Sequence, residues 1–299
     1  MATQLKYIAT SKLVLLDSYC IVVSLLADHI KIPVIQMWHA MGNMKKFGYS
    51  ALGKEEGRTF SDAKLFKMHQ GYDCIFVSSN NFIKDFAEGF GVNPSIIIEA
   101  PLPKTDLLID SEVIHKEKLA LYKEYPQLQR KKNIVYCPTF RKEPSEKDQL
   151  AIDRLIACID FQKYNFIYKA HPVSTLTISD SRVIVPNSTH NILYAADYVI
   201  SDYSTVIYEA GLLNIPVYLY GYDWNEYKKK RSLNIDIKKD VPTLFTDNPE
   251  EIIQYIENNK FDYTKYHAFT LNNITLPKKG TCTKQIIDII FSFIQKEQK

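Results

Sequence analysis

Tyr198-Val199-Ile200-Ser201-Asp202-Tyr203-Ser204-Thr205 is the stretch whose reading decides the fold. A short apolar run, Tyr198–Ser201, ends in small hydroxyl-bearing residues and passes directly into a helical pattern at Thr205–Leu212. Strand, tight turn and helix in that order form the repeating unit of a parallel sheet with crossover helices.

The same unit recurs on both sides of this stretch. Strands are expected at Leu13–Leu16, Val34–Met37, Cys74–Val77, Ile96–Glu99, Asn133–Cys137, Phe166–Tyr168, Val183–Val185 and Val217–Tyr220. Helices are expected at Ser61–His69, Asn80–Phe90, Glu112–Glu124, Lys147–Phe161, Ser188–Ala195, Glu250–Asn258 and Thr283–Lys296, several of them introduced by a Ser, Thr, Asp or Asn cap. Gly89 and Gly91 are stop signals for the second of these. The fold class is α/β. Ala100-Pro101-Leu102-Pro103-Lys104 holds the chain extended where the first set of strands ends, which places a junction between domains 1–106 and 107–299. The second domain reads as a full doubly wound sheet. The first has only about four strands and reads as abbreviated.

Composition bounds the function. The 299 residues, 46% hydrophobic and 24% charged, suffice for two cores and exclude a disordered chain. With 37 basic and 34 acidic side chains the formal net charge is +3, too even for a protein that wraps nucleic acid. Leu13 to Ile32, the most apolar stretch, is broken by Asp17, Asp28 and His29, so no transmembrane helix is expected; Met1-Ala2-Thr3-Gln4-Leu5-Lys6 does not read as a signal peptide. Cys20, Cys74, Cys137, Cys158 and Cys282 show neither C-x-x-C nor zinc-like spacing and read as reduced thiols, in keeping with a cytoplasmic address.

Ligands of open α/β sheets bind at the carboxyl ends of strands, and the chemistry-bearing residues gather there. Trp38-His39-Ala40-Met41-Gly42 follows one strand, placing His39 where an imidazole could take a proton from an attacking hydroxyl. A histidine merely hydrogen-bonded to a loop carbonyl is the equal alternative. Lys169-Ala170-His171-Pro172 repeats the placement in the second domain, suggesting one histidine from each wall of a cleft. Pro138-Thr139-Phe140-Arg141-Lys142 sets Arg141 at a third strand end, where a planar guanidinium suits a diphosphate; an exposed loop arginine is the plainer reading. Asp202, Ser204 and Thr205 open a helix whose unpaired amides form a phosphate cradle, or else simply cap it. Glu209, one turn on, suits ribose hydroxyls or is a surface carboxylate. Lys228-Lys229-Lys230-Arg231 and Arg130-Lys131-Lys132 are dense basic clusters, read as solvated faces or as membrane or phosphate contacts. G-x-G-x-x-G, P-loop, G-x-S-x-G and metal-ligand patterns are absent from the sequence, and so is a D-x-D pair beside a strand.

Trp38-His39-Ala40 followed by Lys45-Lys46-Phe47-Gly48, then Tyr136-Cys137-Pro138-Thr139-Phe140-Arg141, Lys169-Ala170-His171-Pro172 and Ser201-Asp202-Tyr203-Ser204-Thr205 resemble, in this order, the motifs of the CDP-glycerol:poly(glycerophosphate) glycerophosphotransferases of teichoic acid synthesis. Ser78-Ser79-Asn80, Pro101 to Asp106 and Ile215 to Asp223 extend the likeness over about residues 7 to 235. The resemblance implies a GT-B-like fold, two Rossmann-like domains facing a cleft. It also implies that His39 is the base, that His171 and Arg141 engage the donor diphosphate, that Ser204 and Thr205 bind phosphate, that Asp202 of the same turn belongs to the donor site, and that Glu209 binds the ribose or the alditol. The implied donor is CDP-glycerol or CDP-ribitol, with no further cofactor and no metal. The implied acceptor is a polyprenyl-diphosphate-linked teichoic acid or capsule precursor, met by peripheral contact with the inner face of the cell membrane. No nucleic acid partner is expected, and homo-oligomerisation stays open. Two rivals remain at this point: a GT-B nucleotide-sugar glycosyltransferase or epimerase, and a non-catalytic homologue that assists a polymerase.

Overall fold

The structure, a computed structural model, describes residues 2–55, 57–141, 143–170 and 174–296. It divides into two compact units, one of Met1–Asp106, Tyr227–Ile235 and Leu271–Lys299, the other of Leu107–Glu226 and Asp236–Thr270. The chain changes unit after Asp106, and two later segments go back to the first unit. The sequence-based division at 106/107 contained no signal for those returns.

The first unit is built on β1 (Val14–Leu16), β2 (Val34–Gln36), β3 (Cys74–Val77) and β4 (Ile97–Glu99), all parallel and side by side in that order. Alternation along β3 sends Ile75 and Val77 to one face and Cys74 and Phe76 to the other. On the first face they meet Phe82, Phe86 and Phe90 of the segment running through the helix Ile83–Phe90. On the second face they meet Ile286, Ile289, Ile290 and Phe293 of the C-terminal helix Cys282–Lys296. Asp106 fixes that helix by accepting from the backbone N–H of Cys282 and Thr283 and from the Thr283 hydroxyl, at 2.8, 2.9 and 2.6 Å. Ser78 donates to the carbonyl of Asn273 and Ser79 to that of Asn272. The Ser78-Ser79 and Pro101 to Asp106 motifs thus receive the returning chain.

The second unit contains β5 (Lys132–Cys137), β6 (Tyr164–Tyr168), β7 (Tyr198–Ser201), β8 (Val217–Tyr220) and β9 (Phe245–Thr246), parallel in the order β6-β5-β7-β8-β9. The strand expected at Val183–Val185 is only one bridge, Ile184 to Ile167, in which Ile184 alone exchanges backbone bonds with the edge of β6. The helix expected at Ser188–Ala195 shrinks to a single 3-10 turn, Ile192–Ala195, capped by Asn191. Strand β9 was not expected from sequence. The strand order reverses at β5, so the carboxyl ends of β5 and β7 border the topological switch point where this fold class opens a crevice.

One close approach sets a strict requirement in the first unit. Gly48 adopts φ +52°, and a Cβ there would lie 2.1 Å from the Gly89 carbonyl oxygen; a Cβ on Gly89 would lie 2.6 Å from the Phe47 ring. Gly89→Ala is therefore expected to push Phe47 aside and cost about 1–3 kcal/mol. A lowered urea midpoint at unchanged slope is the check, and an unchanged midpoint would show that Phe47 has room to give.

Candidate active site

His39 lies on the loop after β2, and its orientation starts with a polar residue inside the strand. Gln36 is fully buried; its side chain donates to the Ser18 carbonyl at 3.0 Å and accepts from the Trp38 N–H at 2.9 Å. That clamp holds Trp38 at φ 67°, a left-handed conformation that side-chain-bearing residues rarely adopt. The Trp38 ring packs on Phe47 and Phe90, at 4.5 and 5.2 Å between centroids, and lies 4.5 Å from the His39 ring. His39 itself is exposed, with Nδ1 2.8 Å from the Asp17 carbonyl oxygen. A carbonyl only accepts, so Nδ1 carries the hydrogen, and in the neutral form of the ring the lone pair is then on Nε2. The hydrogen bond to a loop carbonyl that the sequence reading set beside catalysis is present, and it leaves Nε2 facing away from that bond.

In the second unit the loops after β5 and β7 are tied together at the switch point. Asp202 is fully buried: Oδ1 accepts from the Thr139 N–H (2.8 Å), the Thr139 hydroxyl (2.7 Å) and the Tyr203 N–H (2.6 Å), and Oδ2 from Arg141 Nη2 (3.0 Å). It neither caps the helix nor faces solvent, in contrast to the phosphate-side placement expected from sequence.

Arg141 also differs from expectation. Its side chain is 12% exposed, and each of its nitrogens is committed: Nε donates to Asp223 at 2.9 Å, Nη1 to the Thr139 carbonyl at 2.7 Å and Nη2 to Asp202. Asp148 lies 4.0 Å from Nε. The guanidinium sits between the rings of Tyr203 and Tyr222, with centroids at 5.5 and 5.9 Å. Burial opposes its charge, but the carboxylates of Asp202 and Asp223 more than offset this and raise its pKa. Burial dominates at Asp223, whose carboxyl is pushed up despite Arg141, whereas the bonds from Ser145 and Tyr222 hold Asp148 down against the same burial. Arg141 thus acts inside a carboxylate cluster and is not an open fork.

Ser204 and Thr205 are half-buried at the start of the helix Val206–Leu212; the Ser204 hydroxyl accepts weakly from the Val206 N–H at 3.4 Å, and the Thr205 side chain makes no capping bond. Glu209 is half-buried in the first turn, close enough to join burial in raising the Cys137 thiol to about 12, so that cysteine is inert. His171 and Lys142 lie outside the described residues. Among the described residues no His, Cys, Asp and Glu group fit to hold a metal is found.

A family model for CDP-glycerol:poly(glycerophosphate) glycerophosphotransferase matches residues 1–292. The chain belongs to this family. A teichoic acid poly(ribitol-phosphate) polymerase of Bacillus spizizenii is 30% identical over 305 residues, covering 98% of this chain and 48% of its own. A teichoic acid glycerol-phosphate primase of Bacillus subtilis is 31% identical over 269 residues, covering 87% of this chain and 68% of its own. This glycerophosphotransferase-family chain therefore spans about half the length of the first relative and two thirds of the second. Among solved structures, the wall teichoic acid polymerase TagF superposes with a TM-score of 0.81 at 18% identity, over 100% of this chain and 77% of its own. That likeness shows the fold, which is GT-B-like.

Within the family frame, several residues that position the site went unrecognised in the sequence. Gln36 had a visible signal, a polar side chain inside an otherwise apolar strand. Asp223 closes the Ile215 to Asp223 motif, yet its bond to Arg141 spans 82 positions and has no local trace. His69 was placed at a helix end; it is 6% exposed at φ 59°, with Nδ1 3.1 Å from the Tyr72 hydroxyl. Burial, helped by the Arg58 charge, pushes its pKa down from 6.5 to about 4. The unfolded chain therefore takes up this proton first. Stability from the neutral ring is complete above pH 6.5 and is lost as pH falls from there through 4, by an amount on the order of 3 kcal/mol. His69→Gln is expected to flatten the fall in urea midpoint between pH 7 and pH 4; an unchanged slope would assign that fall to other groups.

Proposed function

We propose that this chain transfers glycerol phosphate or ribitol phosphate from CDP-glycerol or CDP-ribitol to a hydroxyl of a lipid-linked teichoic acid or capsule acceptor, releasing CMP. The observation that carries the reading is the His39 tautomer, in a chain of this family, with Nε2 left open to accept a proton. The acceptor oxygen attacks the distal phosphorus of the donor as its proton passes to His39 Nε2. The bond from that phosphorus to the bridging oxygen breaks, and the electron pair leaves with CMP. The first unit serves the acceptor and the second holds the CDP-alditol.

In the second unit, the amides at Ser204 and Thr205 and the side chain of His171 stabilise charge on the leaving phosphate, as preorganised donors do. Glu209 accepts from hydroxyls of the ribose or alditol. Arg141 and Asp202 act as positioning residues, because their polar atoms are already engaged and lock the Thr139 loop against the Tyr203 loop. The lipid-linked acceptor implies peripheral contact with the membrane; among the described residues no helix is long and apolar enough to cross one.

The test is acceptor-dependent release of CMP from each CDP-alditol by the purified chain, beside parallel assays with UDP-sugars. Consumption of a UDP-sugar with no turnover of either CDP-alditol would replace this reading by the sugar-nucleotide rival. Turnover by the chain alone would exclude a purely assisting role.

A further inference from the structure

The first unit contains a cavity of about 200 Å³ that the reaction above leaves unused. Five cationic side chains line it, Lys46, Lys54, Arg58, Lys230 and Arg231, and none of its described lining residues is acidic. They come from three separate stretches. The Lys228 to Arg231 cluster, ambiguous as sequence, is brought here because residues after Tyr227 belong to this unit, where the Lys46 N–H bonds to the Ser232 carbonyl at 3.0 Å and Lys45 bridges to Leu233. Among the described residues Lys46, Lys54 and Arg58 form no ion pair, although the Lys46 charge acts on the Asp85 carboxylate; Lys230 meets the exposed Glu55 at 3.7 Å, and Arg231 already has a partner.

Like charges gathered around one concavity repel one another and raise the local potential, an arrangement that an entering anion relieves. Lysine and arginine side chains are the usual partners of phosphate oxygens. The cavity is smaller than the roughly 300–1,000 Å³ of pockets that enclose a whole small molecule, so it fits one segment of a longer ligand. It also shares its framework with the base. Phe47 forms part of its wall and stacks on Trp38, which stacks on His39; Tyr19, two residues beyond the carbonyl that orients His39, lies under the Arg58 guanidinium at 5.0 Å.

We infer that this cavity binds a phosphodiester of the acceptor chain, holding the acceptor so that its hydroxyl reaches His39. The inference rests on the proposed reaction for the identity of the anion. The experiment is equilibrium binding of a synthetic glycerol-phosphate trimer to the purified chain without donor, at low and high salt, with uncharged glycerol oligomer and phosphatidylglycerol vesicles as comparison probes. Wild type is expected to bind the trimer, and Arg58→Ala combined with Lys230→Ala to bind it at least tenfold more weakly with a shallower salt dependence. Arg58→Lys should restore most of the affinity. In transfer assays the double variant should raise the acceptor KM and leave the CDP-alditol KM unchanged.

Absence of trimer binding, equal binding by the double variant, or vesicle binding through the same residues that the trimer fails to displace would each overturn the assignment. Trimer binding by a wild type that releases no CMP from either donor would sink the reaction and leave the anion site standing.

Discussion

His39→Ala is expected to lower acceptor-dependent CMP release by a hundredfold or more while leaving the fold intact. The size follows from the role: a positioned general base contributes about 10²–10⁴ in rate. The intact fold follows from the structure. His39 is exposed and its ring is tied by one hydrogen bond to the Asp17 carbonyl, whose loss costs about 1 kcal/mol. The chemical loss should therefore appear in kcat, with the urea midpoint lowered by no more than that loss of about 1 kcal/mol accounts for, a separation that a structural histidine would not give. Undiminished CMP release by a folded His39→Ala protein would remove His39 from the mechanism. Gln36→Leu provides a second route to the same answer, since it frees Trp38 and lets the imidazole drift while the ring itself remains.

Arg141→Met is expected to have the largest effect on stability, about 3–5 kcal/mol, the usual cost of leaving buried carboxylates without their cation. Asp202 is fully buried and Asp223 nearly so, and Arg141 bonds to both. Burial already holds the Asp223 carboxyl above its ordinary value, and Arg141 is the charge that opposes this, so without the guanidinium it rises further and the folded variant holds that proton more firmly. The contribution of Asp223 to stability should then grow more steeply in the variant than in wild type as pH falls from 7 towards 5. Arg141→Lys keeps the charge but cannot reach Thr139, Asp202 and Asp223 together, and should recover only part of the loss. Urea titrations of the three proteins at pH 7 and pH 5 decide the matter. A variant as stable as wild type at pH 7 would mean that water replaces the guanidinium, and that Arg141 is available to a ligand after all.

Much of the scaffold could be read before any coordinates. β3, β7 and β8 lie where their uninterrupted apolar runs put them, because a strand buried in a parallel sheet has few polar positions to confuse the pattern. The runs at Val183–Val185 and Ser188–Ala195 misled because local propensity says nothing about whether a neighbour is present to pair with. The candidate site was legible as places and not as contacts. His39 and Ser204 stand just beyond strand ends and Glu209 lies within the helix that follows, yet Arg141 and Asp202, equally prominent in their motifs, turn inward on each other.

By itself, then, the amino-acid sequence determined the α/β class, the family, and the strand ends at which chemistry gathers, because these depend on periodicities of a few residues and on ordered motifs. Tertiary structure alone decided which hydrogen His39 carries, that Arg141 is spent on carboxylates, that the helix Cys282–Lys296 completes the first sheet, and that Lys46, Arg58 and Lys230 share one cavity. Each of those depends on contacts between residues far apart in the chain. A side chain's charge and hydrogen-bonding capacity are written in its own identity, but the partner that uses them is chosen only when the chain folds back on itself.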